Sequence, residues 1–427
     1  MNIVKKVLAF VLALAVLCVP LSAFAAPNSS GDDYPFIFVH GLGGWGFYDK
    51  GYEDLPYWGG GAAMTRGDGD FMQFLNDNGY EAYAASVGPV NSAWDRACEL
   101  YAQLTGTVVD YGEAHSKAHN HDRYGRSYVG QALMGEPWNF SEPINLVGHS
   151  FGGPAVRMFT SLMAFGDEAE LAATGKNTSP LFKGGHSKSV HSVITLSGCH
   201  NGSPLANLIV DTQAPMVMIG AAMNLLGAAG INSMLFYSDL ALGHFGLMPK
   251  YGESEAVDFS LYKILNFVAS KDNAGYDLTV GGSQELNEKI KMSPDTYYYS
   301  YSVYITGENE DGRQVRTHDC ALIFKFTTGI VCAFEGLTVD GIKMTKEWAI
   351  NDGMVPLISA LYPLDEADNA YPYEESAKAG TVKKGSWYYL EPIYGMDHGD
   401  FCGTTDNYPE GGYEKFYLDL AELATCR

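Results

Sequence analysis

A serine flanked by glycines, Gly148-His149-Ser150-Phe151-Gly152, follows the apolar run 144–147 and precedes the amphipathic stretch 154–165. In that context the pattern describes a sharp strand-to-helix turn that pushes a hydroxyl out at a sheet edge. The flanking glycines are needed because a Cβ there would strike the neighbouring strand and helix. Serine is a weak nucleophile at its free pKa and needs a base. Among the 11 histidines, His149 sits beside Ser150 and cannot readily turn back on it. His40 ends an early apolar run and suits buttressing the glycine loop after it, whereas His115, His119 and His121 cluster in a polar insertion. His398, in a polar loop after a late strand, lies C-terminal to the serine with room for an acid between. The turn Asn351-Asp352-Gly353-Met354-Val355-Pro356 offers Asp352 as that acid, able to accept the second imidazole N–H and hold the tautomer. Asp340 and Asp365 compete for the role from less strand-like surroundings. An oxyanion formed by attack of Ser150 needs two backbone N–H donors: Phe151, directly after the nucleophile, and Leu42, in the early His40-Gly41 loop.

A second group could hold a metal. Asp95, His115 and His121 combine carboxylate and imidazole, a set suited to zinc; the competing reading is a solvated polar loop.

These side chains need a scaffold. Apolar runs at 34–39, 144–147 and 189–197 read as buried strands, 81–87 as a shorter one, and 296–305 and 387–393 as late ones. Helical spacing covers 94–104 and 154–165. Strands alternating with helices predict an α/β fold around a mostly parallel sheet with helices on both faces. With no internal repeat or low-complexity linker, one domain over 26–427 is the economical reading.

The N-terminus reads as an export signal over residues 1–25. Lys5 and Lys6 precede the apolar run 7–19, and Ala23-Phe24-Ala25 supplies small residues for cleavage. That run is short for a bilayer, and no later stretch resembles a span. The expectation is a secreted, extracellular protein without a stable membrane anchor. Acidic residues outnumber basic ones by 50 to 27, which argues against nucleic acid as a partner. The cysteines are scattered without CxxC spacing, so free, buried thiols are expected. Residues 205–247 are rich in Ala, Met, Leu and Gly and nearly free of charge.

Six segments occur here in a specific order: HGLGGWG, WDRACELYAQLTGTVVDYGEAHSKAHNHDRYGR, GHSFGG, NAGYDLTV, INDGMVP and MDHGDF. Together they resemble the secreted lipases of staphylococci and thermophilic bacilli, from about Tyr34 to the C-terminus. The resemblance implies an α/β-hydrolase fold and hydrolysis of triacylglycerols and shorter acyl esters at an oil–water interface. It implies Ser150 as nucleophile, Asp352 as acid and His398 as base. It further implies a helical lid at about 205–247 and a structural zinc in an insertion at about 92–128, held by Asp95, His115, His121 and Asp277. A calcium site near His398 is also implied. Asp400 matches its first carboxylate; Thr405 stands where the second is expected, with Asp406 one residue later. Two other readings remain: a carboxylesterase for short soluble esters, with 205–247 as a fixed cap, and a non-catalytic binding protein on a hydrolase scaffold.

Overall fold

A computed structural model describes residues 34–49, 52–60, 69–211, 241–247, 261–405 and 407–425. The proposed signal, most of the proposed lid and Asp406 therefore lie outside the described residues.

The frame is a seven-stranded sheet. In chain order its strands are β1 (Phe36–Val39), β2 (Ala82–Ala85), β3 (Ile144–His149), β4 (Val190–Leu196), β5 (Tyr297–Tyr301), β6 (Ala370–Pro372) and β7 (Trp387–Tyr389). They lie in the order β6-β7-β5-β4-β3-β1-β2, and every neighbouring pair runs parallel. Strands β1 and β3 are buried along their whole length, as parallel strands covered on both faces must be.

The pleat divides β1 between two cores. Ile37 and Val39 join Ala93, Ala97, Leu100, Phe159 and Met163 on one face. Phe36 and Phe38 join Trp58, Phe71, Tyr417 and Leu420 on the other. Helix α1 (Ala93–Thr105) and helix α2 (Gly152–Phe165) supply much of the first cover. Helix α3 (Gly412–Ala424) supplies part of the second. Helix α1 starts cleanly because the Ser92 side chain accepts the Asp95 N–H, and ends at Gly106 in the left-handed region with φ 62°.

The two late runs are each shorter than their apolar patterns suggest. After Tyr301 and after Tyr389 the chain leaves the main sheet, and Val303–Tyr304 pairs with Ile393–Tyr394 as a separate parallel ribbon. Pro392 has no N–H to continue the β7 ladder. Both chains thus cross the carboxyl edge of the sheet together, which delivers the loop 395–405 to the end of β3. The polar insertion is ordered: it holds a helix at Glu113–His119 and a two-stranded ribbon of Val108–Asp110 with Tyr124–Ser127. Cys98, Cys199, Cys320, Cys332 and Cys402 are all free thiols.

Candidate active site

Ser150 stands between β3 and α2 with φ 56°, a strained backbone for any residue with a side chain. Close packing enforces the turn. A Cβ on Gly148 would lie 2.5 Å from the Gly152 carbonyl oxygen, and one on Gly152 would lie 2.2 Å from that of Val39. Ser150 Oγ is 2.8 Å from His398 Nε2, and His398 Nδ1 is 2.8 Å from Asp352 Oδ2. Asp352 is fully buried, and its other oxygen, Oδ1, accepts the N–H groups of Met354 and Val355 at 2.9 and 2.8 Å. Its carbonyl accepts the His398 N–H at 2.9 Å, so the acid and the imidazole are joined through both backbone and side chain. Asp340 instead accepts Asn207 Nδ2 and the Gly281 N–H.

His149 points away from the hydroxyl. Its Nε2 lies 2.9 Å from the His398 carbonyl oxygen and its Nδ1 2.7 Å from the Tyr57 hydroxyl. The carbonyl can only accept, so Nε2 carries the proton and Nδ1 accepts from Tyr57. Burial, then the nearby His398, holds His149 well below the usual imidazole pKa, hence neutral. Tyr57 in turn accepts the Gly41 N–H at 3.1 Å, tying the glycine loop to the imidazole's backbone. His40 buttresses that loop from within: its Nδ1 donates to the Gly41 carbonyl at 2.9 Å, and burial lowers its pKa to about 3.

Gly41 passes so close to the nucleophile that an added Cβ would meet Ser150 Cβ at 2.7 Å. The Leu42 and Phe151 N–H groups have no intramolecular acceptor among the described residues. Both residues proposed to stabilise an oxyanion therefore flank Ser150 with unused donors.

A buried cluster forms a candidate metal centre. Asp95, His115, His121 and Asp272 each place one ligand atom within 4.8 Å of all the others. His115 Nε2 lies 3.1 Å from Asp272 Oδ2 and 3.4 Å from Asp95 Oδ1, and His121 Nε2 lies 3.1 Å from Asp272 Oδ2. Bonds of about 2.0 Å in a tetrahedron require ligand atoms roughly 3.3 Å apart. Despite these short separations, the buried Asp95 Oδ1 and His121 Nε2 make no well-aligned hydrogen bond among the described residues, as expected of atoms aimed at a cation. The surrounding contacts orient these donors. His244 Nε2 donates to Asp95 Oδ2 at 3.0 Å, His121 Nδ1 donates to the Asp122 carbonyl at 2.8 Å, and Glu170 accepts the His115 N–H at 2.7 Å. His119 turns away to the Ser270 carbonyl.

The fourth member corrects the sequence expectation. Asp272, not Asp277, joins the cluster. Asp277 Oδ2 accepts the Ala93 N–H at 2.8 Å at the start of α1, and burial raises its pKa to about 7. The physical reason is a short helix, Ala274–Asp277, capped by Asn273. It carries Asp277 to the start of α1 and leaves Asp272 just ahead of the cap, facing the histidines. Sequence reasoning also missed His244, which no spacing could link to Asp95.

Of the residues named for the calcium expectation, Asp400 is buried and hydrogen-bonded within its own loop. Asp400 Oδ2 accepts the Asp397 N–H, and Oδ1 is engaged by the backbone and hydroxyl of Thr405; Asp406 lies outside the described residues. The described parts of 205–247 are the helix Pro204–Asp211 and the loop 241–247 that carries His244.

A parallel sheet with a serine on its strand-to-helix turn and an acid and histidine on later loops defines the α/β-hydrolase class. Within it, a family model described as "Lipase-like, C-terminal domain" matches residues 32–422, and the chain belongs to that family. It is 34% identical over 383 residues to a lipase of Staphylococcus hyicus, covering 88% of this chain and 55% of that protein. The chain thus spans about half the length of the curated relatives it matches. Among solved structures, EstA of Clostridium botulinum superposes with a TM-score of 0.75 at 34% identity, over 92% of this chain and 87% of that one. The Staphylococcus hyicus lipase gives 0.73 at 30%, over 94% and 97%. Among the described residues no helix is long and apolar enough to cross a membrane.

Proposed function

We propose that this chain is a secreted serine-dependent lipase that hydrolyses triacylglycerols and other acyl esters through an acyl-enzyme. The observation that carries this reading is the pair of 2.8 Å contacts joining Ser150, His398 and Asp352. His398 removes the Ser150 proton as Oγ attacks the ester carbonyl. The Leu42 and Phe151 N–H groups receive the oxyanion, and His398 then returns the proton to the leaving alcohol. Water repeats the sequence to release the acid.

Lipid rather than small soluble ester is favoured by the helix Leu322–Cys332. Its Phe324 ring packs edge-on to His398 at 6.2 Å, while Leu322 and Phe326 are 68% and 60% exposed. Exposed apolar side chains on the helix that packs against His398 suit an oil surface. The test compares p-nitrophenyl esters of rising chain length with emulsified triolein. The expected result is hydrolysis of both, with the rate climbing once substrate exceeds its solubility. A hyperbolic response indifferent to the interface, with no triolein turnover, would favour the short-ester carboxylesterase.

For the metal centre we propose one structural zinc on Asp95, His115, His121 and Asp272. Two imidazoles and two carboxylates suit zinc better than calcium, and four protein ligands leave no open position for chemistry. The zinc would supply charge neutralisation and a clamp between the insertion and residue 272, so its binding energy is partly folding energy. Asp272→Asn should lower zinc affinity by about ten-fold or more and depress the melting temperature. Asp277→Asn keeps an acceptor for the Ala93 N–H and should retain the metal. Elemental analysis with chelator competition decides between them; loss of zinc from Asp277→Asn alone would reverse the assignment.

A further inference from the structure

The side chain of Arg96 is fully buried in the first turn of α1. Its Nη2 donates to the Gly41 carbonyl at 2.9 Å and to that of Pro89 at 3.2 Å. Nη1 donates to the His40 carbonyl at 3.0 Å, and Nε to that of Gly88 at 2.8 Å. The guanidinium carbon also stands 4.7 Å from the centroid of the Phe151 ring. One planar cation therefore touches both segments that flank Ser150.

The Gly41 contact has a directional consequence. The Gly41 carbonyl and the Leu42 N–H belong to one peptide unit, planar and trans, so they point in opposite directions. Drawing the oxygen toward Arg96 turns the Leu42 N–H outward from it. The preceding peptide is held likewise, its oxygen on Arg96 and its Gly41 N–H on Tyr57. His40 Nδ1 shares the Gly41 oxygen. Among the described residues Arg96 alone reaches that oxygen, the opposing loop at Gly88 and Pro89, and the Phe151 ring.

We propose that Arg96 is the positioning residue of the oxyanion hole, fixing the Gly41–Leu42 peptide plane and seating Phe151 so that both N–H groups converge on the carbonyl attacked by Ser150. This rests on the ester-hydrolase reading above. Lysine at this position keeps the charge but cannot span these carbonyls as a fork or lie flat on the ring.

The test uses the full chain and Arg96→Lys, with active serines counted by an irreversible phosphonate taken to completion. Losing one oxyanion donor typically costs about 10²–10³ in kcat. Arg96→Lys should lower kcat per titrated serine on p-nitrophenyl butyrate by about 10²-fold, with KM changed less than about three-fold. The inhibition constant of a trifluoromethyl ketone, which adds Ser150 Oγ to form a hemiketal oxyanion, should weaken in parallel with kcat/KM. That of the methyl ketone analogue, which binds without addition, should stay put. A lower melting temperature with unchanged kcat per titrated serine and an unchanged trifluoromethyl ketone constant would make Arg96 merely structural and overturn the proposal. Should Arg96→Lys give no titratable serine, Phe151→Leu removes the stacked ring and leaves every Arg96 hydrogen bond. It should lower kcat about ten-fold with the same split between the two ketones, whereas an equal effect on both would overturn the proposal. Absence of ester hydrolysis in the unsubstituted chain would instead refute the underlying reading.

Discussion

Ser150→Ala should abolish ester hydrolysis, lowering kcat by about four to six powers of ten while leaving the fold in place. The loss is large because Oγ is the atom 2.8 Å from His398 Nε2 and the one that would become bonded to the acyl carbon. The fold should survive because the φ of 56° at this position is as tolerable for alanine as for serine. The strain is held by the Gly148 and Gly152 contacts and by the Ser150 N–H bonded to the Leu196 carbonyl at 2.9 Å, none of which uses the side chain. A serine-directed phosphonate should label the unsubstituted chain at Ser150 alone, and the variant not at all. Purified variant retaining more than about a hundredth of the activity would show that another residue is the nucleophile, since removing a true one costs far more.

The parts of this arrangement legible in the sequence are those where one local rule dominates. Buried parallel strands such as 36–39 read as apolar runs because both faces are covered, and 144–147 reads likewise apart from Asn145 although the strand continues to His149. The turn at Ser150 is marked by glycines that its close packing demands. His149 and His398 are separable in sequence because adjacency in a tight turn prevents the first from reaching Ser150. Asp272 was less accessible: two aspartates lie five positions apart, and only the Asn273 cap and the turn of helix after it decide which one faces the histidines. His244 and Arg96 act through contacts 149 and 55 positions away along the chain. No local periodicity encodes such pairings; they exist only once the sheet has brought α1 against the glycine loop and the loop 241–247 against Asp95.

The acid should prove nearly as important as the nucleophile. Asp352→Asn should lower kcat by about 10⁴-fold with little change in melting temperature. The hydrogen bonds at Asp352 say why. Oδ1 accepts two backbone N–H groups, from Met354 and Val355, so the one oxygen of an asparagine must occupy that position. Its NH₂ group is then left facing His398 Nδ1, 2.8 Å away in the Oδ2 position. A donor there forces Nδ1 to accept, which places the imidazole proton on Nε2. That tautomer cannot take the proton of Ser150 Oγ, and the imidazolium loses its counter-charge as well. Stability should hold because both backbone N–H bonds are kept. Asp340→Asn is the matched control. Its carboxylate serves Asn207 and Gly281 rather than an imidazole, so kcat should stay within about three-fold of the parent, as for a residue outside the reacting groups. Rates per titrated serine on p-nitrophenyl butyrate measure both variants. If Asp340→Asn lost activity by orders of magnitude while Asp352→Asn stayed active, the acid would have to be reassigned, and with it the account of how His398 is kept in the tautomer that serves as base.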